Sequence, residues 1–199
     1  MNDPFVLLGL TTSALELISF VLSIATVVLN IRQNPWAWFF AIASSAMYGI
    51  VFFGARLYGD MGLQVVFIVV SMWGWYQWLY GGADHEGLLV TTSSKAGWGY
   101  GIVAWLAGFA VLAFLLSRFT NSDVPNIDAF LTSGSLLGTV LLSRKKVENW
   151  IVWIVVDILY VGLYVYKGLH LTAILYGLFV VLASIGLFTW YRASRGLPA

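Results

Sequence analysis

The chain has 199 residues, of which 60% are hydrophobic and only 10% are charged, and its mean hydropathy is +0.87. Soluble domains are roughly 45–50% apolar and 25% charged, so this composition indicates a chain solvated by lipid and leaves no length for a separate globular domain. The net charge is +1, and the ten Lys and Arg residues are scattered over loops instead of clustering in an arm, which argues against a nucleic-acid partner. The absence of Cys excludes disulfides and thiolate metal sites.

Apolar runs of about 20 residues, separated by charges, Pro and Gly, predict an all-α integral membrane protein of seven transmembrane helices. The predicted helices are 10–30, 35–54, 61–80, 98–117, 127–143, 149–166 and 170–191. Met1 to Pro4 contain an Asp and no Lys or Arg, which is unlike a cleaved signal. We therefore expect the first helix to be retained.

Basic residues are distributed unequally between the two sides of the predicted bundle. One side carries Arg32, Lys95, Arg144, Lys145, Lys146, Arg192 and Arg195, and the other carries Arg56, Arg118 and Lys167. Cytoplasmic loops of membrane proteins have an excess of Lys and Arg. We therefore expect an outside N terminus and a cytoplasmic C terminus.

The sequence aligns with itself without a gap at a shift of 112 residues, so that 15–78 matches 127–190. The matched pairs are Arg32 with Arg144, Trp38 with Trp150, Tyr48 with Tyr160, Leu57 with Leu169, Phe67 with Phe179, Gly74 with Gly186 and Trp78 with Trp190. Agreement of rare residues in one register favours a duplication. The helix at 98–117 lies between the two triplets, so both triplets enter the membrane from the same side, which predicts a parallel repeat. Two such halves can rock around a central cavity, as in a carrier.

Two of the predicted helices carry polar and aromatic residues on one face. In the sixth helix these are Asn149, Trp153, Asp157, Tyr160 and Tyr164, which share an arc of about 80°; we call this set the α6 stripe. An Asp at bilayer depth costs roughly 2.5–3.5 kcal/mol on insertion scales. The carboxyl group is therefore expected to face a cavity or to make a structural hydrogen bond to another helix.

The third helix repeats this pattern with Gln64, Ser71, Trp75 and Trp78 inside an arc of about 60°. Gln64 both donates and accepts hydrogen bonds, which suits an amide or hydroxyl ligand. Trp153, between an amide and a carboxylate, is a stacking surface for a heteroaromatic ring. Trp150 lies just off the α6 stripe and is expected to belong either to the site or to an interfacial belt.

Other residues admit less specific interpretations. Trp36, Trp78, Trp98 and Trp190 lie near predicted helix ends, which is typical of belt or packing roles. Glu16 and Asp128 are repeat mates that either couple protons or satisfy a helix dipole or an Arg. The two His residues, His85 and His170, have no metal-ligand spacing, and the common catalytic motifs are absent from the sequence. No catalytic residue, metal or cofactor is expected.

Two stretches, 57–78 and 144–172, resemble the PnuC transporters of bacterial vitamin uptake. They read L-Y-G-D-M-G-L-Q-V-V-F-I-V-V-S-M-W-G-W-Y-Q-W and R-K-K-V-E-N-W-I-V-W-I-V-V-D-I-L-Y-V-G-L-Y-V-Y-K-G-L-H-L-T. The combination R-K-x-x-E-N-W-x-x-W followed by K-G-L-x-L-T-A is not a generic membrane pattern. The resemblance covers both triplets, about two thirds of the chain.

The resemblance implies a 3+1+3 helix arrangement like that of the SWEET sugar carriers, in a homotrimer of the bacterial inner membrane. It also implies a facilitator for nicotinamide riboside that uses no ion gradient, the solute being trapped by cytoplasmic phosphorylation. The family's binding positions match Gln64, Asn149 and Trp153. Asp157 stands where relatives carry Asn, and related branches carry thiamine, riboflavin or deoxynucleosides.

Three hypotheses follow for the function. The first is a carrier of nicotinamide riboside, or else of thiamine or another aromatic vitamin or nucleoside, bound by Gln64, Trp75, Asn149, Trp150, Trp153, Asp157 and Tyr160. The second is an intramembrane enzyme that uses Asp157 or Glu16. The third is a scaffold subunit that transports nothing. The expected partners of the carrier are its small-molecule substrate, the lipid bilayer and two further copies of the chain.

Overall fold

The structure is a computed structural model, and it describes residues 5–7, 10–12, 14–54, 58–119, 124–166, 168 and 170–197. Side chains are described from Val21 onward, except at 48, 51, 52, 54 and 58–60. The sequence predictions for Glu16, Arg56 and Lys167 therefore fall outside the described side chains.

Seven α-helices make up most of the described chain, and each overlaps a helix predicted from the sequence. Their bounds are α1 (Ala14–Ile31), α2 (Trp36–Gly54), α3 (Tyr58–Tyr80), α4 (Lys95–Phe119), α5 (Pro125–Ser143), α6 (Asn149–Tyr166) and α7 (His170–Ser194). Long apolar runs fold as helices in lipid because a helix satisfies its own backbone donors and acceptors. The predicted all-helical core is confirmed.

The prediction was wrong at the start of the chain and incomplete after α3. A short antiparallel hairpin pairs β1 (Phe5–Leu7) with β2 (Leu10–Thr12), with Val6 opposite Thr11. The first helix therefore begins at Ala14, not at residue 10, because β-branched Val and Thr favour the extended backbone. A single 3₁₀ turn, Ala83–His85, follows α3.

Among the described residues, three helices are long and apolar enough to cross a membrane by length and composition: α4, α6 and α7. Shorter apolar stretches, Val21–Ile31 and Trp36–Met47, lie in α1 and α2. Many large apolar side chains point outward on the described helices, among them Val69 of α3, Val103 of α4 and Val181 of α7, each more than half exposed. Such a surface is stable in lipid and would be costly in water.

The helices pack in two sets that make corresponding contacts. Within the first set α2 packs on α1 and α3, and within the second set α6 packs on α5 and α7. The sets meet where α3 packs on α5 and where α7 packs on α1. Helix α4 lies against α5 and, along its full described length, has no buried residue.

Four buried Trp side chains join the two sets at one end of the bundle: Trp38, Trp78, Trp150 and Trp190, which we call the tryptophan cluster. None is more than 3% exposed. Trp78 at the end of α3 donates its indole N–H to the Leu142 carbonyl of α5 at 2.9 Å. Trp190 of α7 donates to the Ile31 carbonyl of α1 at 3.1 Å. Of the belt and packing roles expected for Trp78 and Trp190, the structure shows packing in the core.

Contacts within the tryptophan cluster recur at positions 112 residues apart. The rings of Trp38 and Trp78 meet edge to face with centroids 5.5 Å apart, and those of Trp150 and Trp190 do so at 5.4 Å. Edge-to-face contact is a favoured arrangement of aromatic pairs. The two sets of helices therefore contain the same ring-pair geometry twice, joined by a Trp78–Trp190 contact at 5.9 Å.

Two Gly residues let the helices approach closely enough to form this cluster. A Cβ on Gly74 would lie 2.6 Å from the Trp38 ring, and a Cβ on Gly186 would lie 2.6 Å from the Trp150 ring. Small residues at helix interfaces are common in membrane proteins for this reason. A Cβ on Gly177 of the same helix, α7, would meet nothing within 4 Å.

We expect Gly186→Ala to destabilise the protein by about 1–3 kcal/mol, because the added methyl group overpacks the Trp150 ring. Gly177→Ala is the matched control, and it should leave stability unchanged or raise it slightly through its helix propensity. Thermal unfolding in detergent measures both. Equal melting temperatures for the two variants would contradict the close packing at Gly186.

Candidate functional site

The start of α6 is built by a tight turn after α5. Lys145 has a left-handed backbone with φ of 47°, which turns the chain between the two helices. Asn149 then begins α6 and is fully buried, and its side-chain amide donates to the Lys146 carbonyl at 2.7 Å. This hydrogen bond fixes the orientation of the amide and does not use its oxygen, Oδ1.

A segment before α4 holds this turn from the other side. Thr91 and Lys146 form a parallel β-bridge, and the ammonium group of Lys146 donates to the Thr91 hydroxyl at 2.9 Å. The buried carboxylate of Glu148 accepts from the Ser93 backbone N–H at 2.7 Å and from its hydroxyl at 3.0 Å. Charge-assisted bonds of this kind are about twice as strong as neutral ones. The entry to α6 is therefore rigidly supported.

The side chains of Trp150 and Trp153 on α6 pack against different helices. Trp150 is 3% exposed and packs against Gly186 of α7 within the tryptophan cluster. Trp153 is half-buried and packs against Gly138 of α5, where a Cβ would lie 3.0 Å from its ring. Trp150, left open by the sequence between site and belt, belongs to the buried interior. The two rings line the α5 and α7 sides of α6.

Farther along the α6 stripe, Asp157 is 4% exposed and lies within electrostatic range of two Tyr residues, Tyr160 and Tyr176. The Tyr160 ring stacks on Tyr164 with centroids 5.6 Å apart and meets Tyr176 of α7 at 4.7 Å. Asp128, in the first turn of α5, also lies within range of Tyr160. The stripe thus continues into a group of hydroxyl and carboxyl side chains.

The predicted residues of α3 lie apart from this group. Gln64 packs against Gly49 of α2, and Trp75 packs beside Trp36 and Phe39 at the start of α2. Trp75 and Trp153 both contact the cluster of buried rings, from different helices. The structure therefore brings Asn149, Trp150, Trp153, Asp157 and Tyr160 together on α6, whereas Gln64 and Trp75 contact α2.

Four buried polar atoms have no hydrogen-bond partner within the described part of the chain: Asn30 Oδ1, Trp38 Nε1, Asn149 Oδ1 and Trp150 Nε1. An unpaired buried donor or acceptor costs about 1–3 kcal/mol, so native proteins rarely retain one without a reason. Asn149 and Trp150 are consecutive and offer one free acceptor and one free donor. Trp38 is the position that matches Trp150 at the 112-residue shift.

The unpaired atoms at the start of α6 are buried in this structure. Two cavities, of about 680 and 630 Å³, lie at other places, and neither is lined by a residue that the sequence predicts for the site. The indoles of Trp150 and Trp153 instead contact Gly186 and Gly138 directly. A ligand can reach the unpaired atoms of α6 only if these helices separate.

A pair of matched turns closes the same end of the bundle. Gln33 and Lys145 are 112 residues apart, both have left-handed backbones, and their side chains meet at 3.4 Å between Oε1 and Nζ. The Lys145 ammonium group also lies 4.9 Å from the centre of the Trp78 ring. Burial lowers the pKa of Lys145, because desolvation disfavours the charged form.

The residues that pack beside the candidate site, and that the sequence did not assign to it, are Trp38, Trp78, Trp190, Gly74 and Gly186. Their signal was present in the 112-residue alignment, which paired Trp38 with Trp150 and Gly74 with Gly186. Proximity of Trp78 and Trp190 to helix ends left belt and packing roles open. Only the packing of α3 on α5 and of α7 on α1 shows that these ends are buried.

The apolar helices and the buried polar and aromatic stripe are those of a helical membrane protein, with a candidate site on α6 beside packed Trp rings. Residues 13–192 match the family described as nicotinamide mononucleotide transporter. The chain belongs to this family, which includes the PnuC transporters. The resemblance of 57–78 and 144–172 to PnuC is therefore confirmed.

Named relatives differ in what they carry. The riboflavin/roseoflavin transporter RibM of Streptomyces davaonensis is 29% identical over 98% of this chain and 92% of its own length. The nicotinamide riboside transporter PnuC of Escherichia coli is 23% identical over 94% of this chain and 89% of its own length. The crystal structure of a vitamin B3 transporter PnuC matches the fold with a TM-score of 0.69 at 22% identity, over 91% of this chain and 82% of that one.

The two indole hydrogen bonds that join the helix sets predict unequal effects of Trp→Phe substitution. Trp78→Phe should lower the free energy of unfolding by about 0.5–1.5 kcal/mol more than Trp38→Phe, because only Trp78 loses a hydrogen bond. Trp190→Phe compared with Trp150→Phe repeats the test in the second set. Melting in detergent measures all four, and equal losses would show that the bonds contribute nothing.

Proposed function

We propose that the protein is a facilitator for a vitamin in which a heteroaromatic ring carries a ribosyl or ribityl chain. Membership of a transporter family supports this proposal. Nicotinamide riboside and riboflavin, the ligands named for the two relatives, share that chemistry. Trp153 supplies a stacking surface for the ring, and the polar side chains of α6 supply groups for the chain of hydroxyls.

One observation carries the proposal: the unpaired acceptor on Asn149 and the unpaired donor on Trp150, buried side by side at the start of α6. A ligand edge with one donor and one acceptor, such as a carboxamide or the imide of a flavin ring, complements this pair. The penalty of leaving both atoms unpaired is relieved on binding, which favours the ligand over its absence. An enzyme would need a reacting group here, whereas an amide and an indole are binding groups.

We further propose that the chain is a 3+1+3 parallel repeat of the SWEET type, with repeats at 15–78 and 127–190 and a linking helix at about 98–117. Equivalent ring contacts of Trp38 with Trp78 and of Trp150 with Trp190 support it. The contacts of α3 with α5 and of α7 with α1 are equivalent under the same exchange. Two similar halves joined at one end can rock apart, which is how a carrier exposes its site alternately to each side.

The orientation and the assembly complete the proposal. The end of the bundle that contains the tryptophan cluster also carries most of the Lys and Arg residues, including Arg144, Lys145 and Lys146. The positive-inside rule therefore favours a cytoplasmic location for this end, in a bacterial inner membrane with the N terminus outside. The homotrimer rests on the family resemblance.

Two ligands lead the candidates for different reasons. Nicotinamide riboside has a cationic ring, and a buried carboxyl group at Asp157 would attract it if ionised. Riboflavin is favoured by the higher identity and coverage of the RibM match. Thiamine, also a cation, is a weaker alternative because neither named relative carries it.

Uptake into proteoliposomes tests the function directly. With purified protein, we expect labelled nicotinamide riboside or riboflavin to equilibrate with saturable kinetics, without chemical change and without a proton or sodium gradient. Empty liposomes are the control. Accumulation above equilibrium that requires a gradient would contradict the facilitator, a modified product would indicate an enzyme, and failure of both ligands to enter would contradict the substrate class.

Substitution of Asp157 by Asn distinguishes the two leading ligands. It keeps the shape of the side chain and one acceptor oxygen, replaces the other oxygen by an NH2 donor, and removes the capacity for charge. Affinity for nicotinamide riboside should fall roughly tenfold, equal to about 1.4 kcal/mol, whereas affinity for neutral riboflavin should change little. Calorimetric binding measures both, with melting recorded alongside. Unchanged affinity for the cation would exclude a role for the Asp157 charge.

Truncation of the stacking surface should weaken binding of either ligand. Trp153→Ala is expected to lower affinity about five- to 150-fold, equivalent to roughly 1–3 kcal/mol of lost stacking. Trp36→Ala is the matched control, because Trp36 is 60% exposed at the start of α2. Gln64→Ala should weaken binding on a similar scale if α3 closes on the ligand. Wild-type affinity in folded Trp153→Ala protein would exclude Trp153 from the site.

A further inference from the structure

A cavity of about 630 Å³ opens where the segment after α3 folds back on the turn between α5 and α6. Its lining combines two basic side chains, Arg144 and Lys146, with the indole of Trp73 and the amide of Gln77. The segment from Gly81 to Thr91 forms the opposite wall and contributes one carboxylate, Glu86. The cavity therefore has a net positive lining at the basic end of the bundle.

The two cations are held in place without being neutralised. The Arg144 guanidinium lies over the Trp73 ring, 5.4 Å from its centre, and Lys146 donates to the Thr91 hydroxyl at 2.9 Å. For these two side chains the structure describes no salt bridge to a carboxylate. Arg144 is exposed and Lys146 is half-buried, so both remain accessible to a ligand. Positioned cations without a counter-ion are suited to bind a phosphate group.

Gly82 allows one wall of the cavity to fold into a narrow loop. A Cβ on Gly82 would lie 2.8 Å from the Glu86 carbonyl oxygen, and the backbone N–H of Gly82 donates to that same oxygen at 2.9 Å. The chain therefore closes into a narrow loop at this point that a larger residue would distort. The wall opposite Arg144 is fixed by backbone geometry, as the other wall is fixed by the Thr91–Lys146 bridge.

The surroundings of the cavity are those of a membrane interface. Along α3, Met72, Tyr76 and Tyr80 recur at intervals of four residues, and each is more than half exposed. Leu89, which lines the cavity, is 78% exposed. Exposed Tyr near a helix end is typical of the headgroup level, and Met72 one turn further along offers an apolar surface for an acyl chain.

We propose that this cavity binds a phosphate group, presented by the headgroup of an anionic membrane lipid. Arg144 and Lys146 contact the phosphate, and the acyl chains lie along the Met72 and Tyr76 face of α3. Basic pockets between helices on the cytoplasmic side are known to take such headgroups. The bound lipid would stabilise the turn that begins α6, because Lys146 precedes Glu148 and Asn149 in the supported entry to that helix.

The test uses purified full-length protein and two sources of phosphate. Native mass spectrometry counts phosphatidylglycerol bound per chain, with phosphatidylcholine as the neutral lipid, and melting is measured with each lipid and with inorganic phosphate. We expect selective retention of phosphatidylglycerol and a raised melting temperature. A rise with inorganic phosphate alone, without lipid selectivity, would overturn the lipid source, and no response to either would overturn the site.

Variants locate the binding in the cavity. Arg144→Gln with Lys146→Gln should weaken phosphatidylglycerol binding roughly thirty-fold, the change expected for two basic side chains at a membrane surface. The matched control is Arg192→Gln with Arg195→Gln, which removes two charges from the end of α7, outside the cavity. Equal weakening by both double variants would show only a diffuse surface attraction and would overturn the proposal.

Two single variants keep the test decisive if the double variant does not fold. Ala83→Glu adds a carboxylate to the exposed 3₁₀ turn that lines the cavity and leaves the contacts of Arg144 and Lys146 intact. It should weaken lipid binding about fivefold, and Glu86→Gln should strengthen it by a similar factor. Opposite shifts in the two variants support a site inside this cavity, and no shift in either overturns it.

Discussion

The structure depends on two indole hydrogen bonds, each of which joins one set of helices to the other. Trp78 of α3 donates to α5, and Trp190 of α7 donates to α1. The two bonds therefore lie in the α3–α5 and α1–α7 interfaces, where the two sets of described helices pack together. Without water to compete, a buried indole N–H is stabilised by a carbonyl partner. These bonds hold the two halves in one relative position.

The candidate site follows from that constraint. Trp38 and Trp150, whose rings contact Trp78 and Trp190, press on Gly74 and Gly186. Trp150 also lies at the start of α6, and its indole N–H has no partner among the described residues. The Asn149 oxygen next to it is free as well. In the proposed carrier, the Trp contacts that close the bundle and the groups that bind the ligand therefore lie at the same end of α6. Opening of the Trp contacts would change the position of the binding groups.

Much of the fold could be predicted from the sequence because lipid imposes a simple rule on long apolar runs. The helix positions and the α6 stripe follow from periodicity and from the cost of burying Asp157. The hairpin before Ala14 and the buried state of Trp78 could not be predicted, since both depend on pairing that the apolar pattern does not encode. Gln64 matched a family position, yet its contact with Gly49 is a tertiary detail that no spacing reveals.

Locking the cluster end of the bundle tests the account most directly. The chain has no native Cys, so Gln33→Cys with Lys145→Cys can be bridged by a short reducible bis-thiosulfonate where these side chains meet. We expect the bridged protein to lose uptake in proteoliposomes and reduction to restore it, whereas each single Cys variant should transport with or without the reagent. Uptake by the bridged protein at the rate of the reduced protein would contradict a carrier whose halves separate at this end.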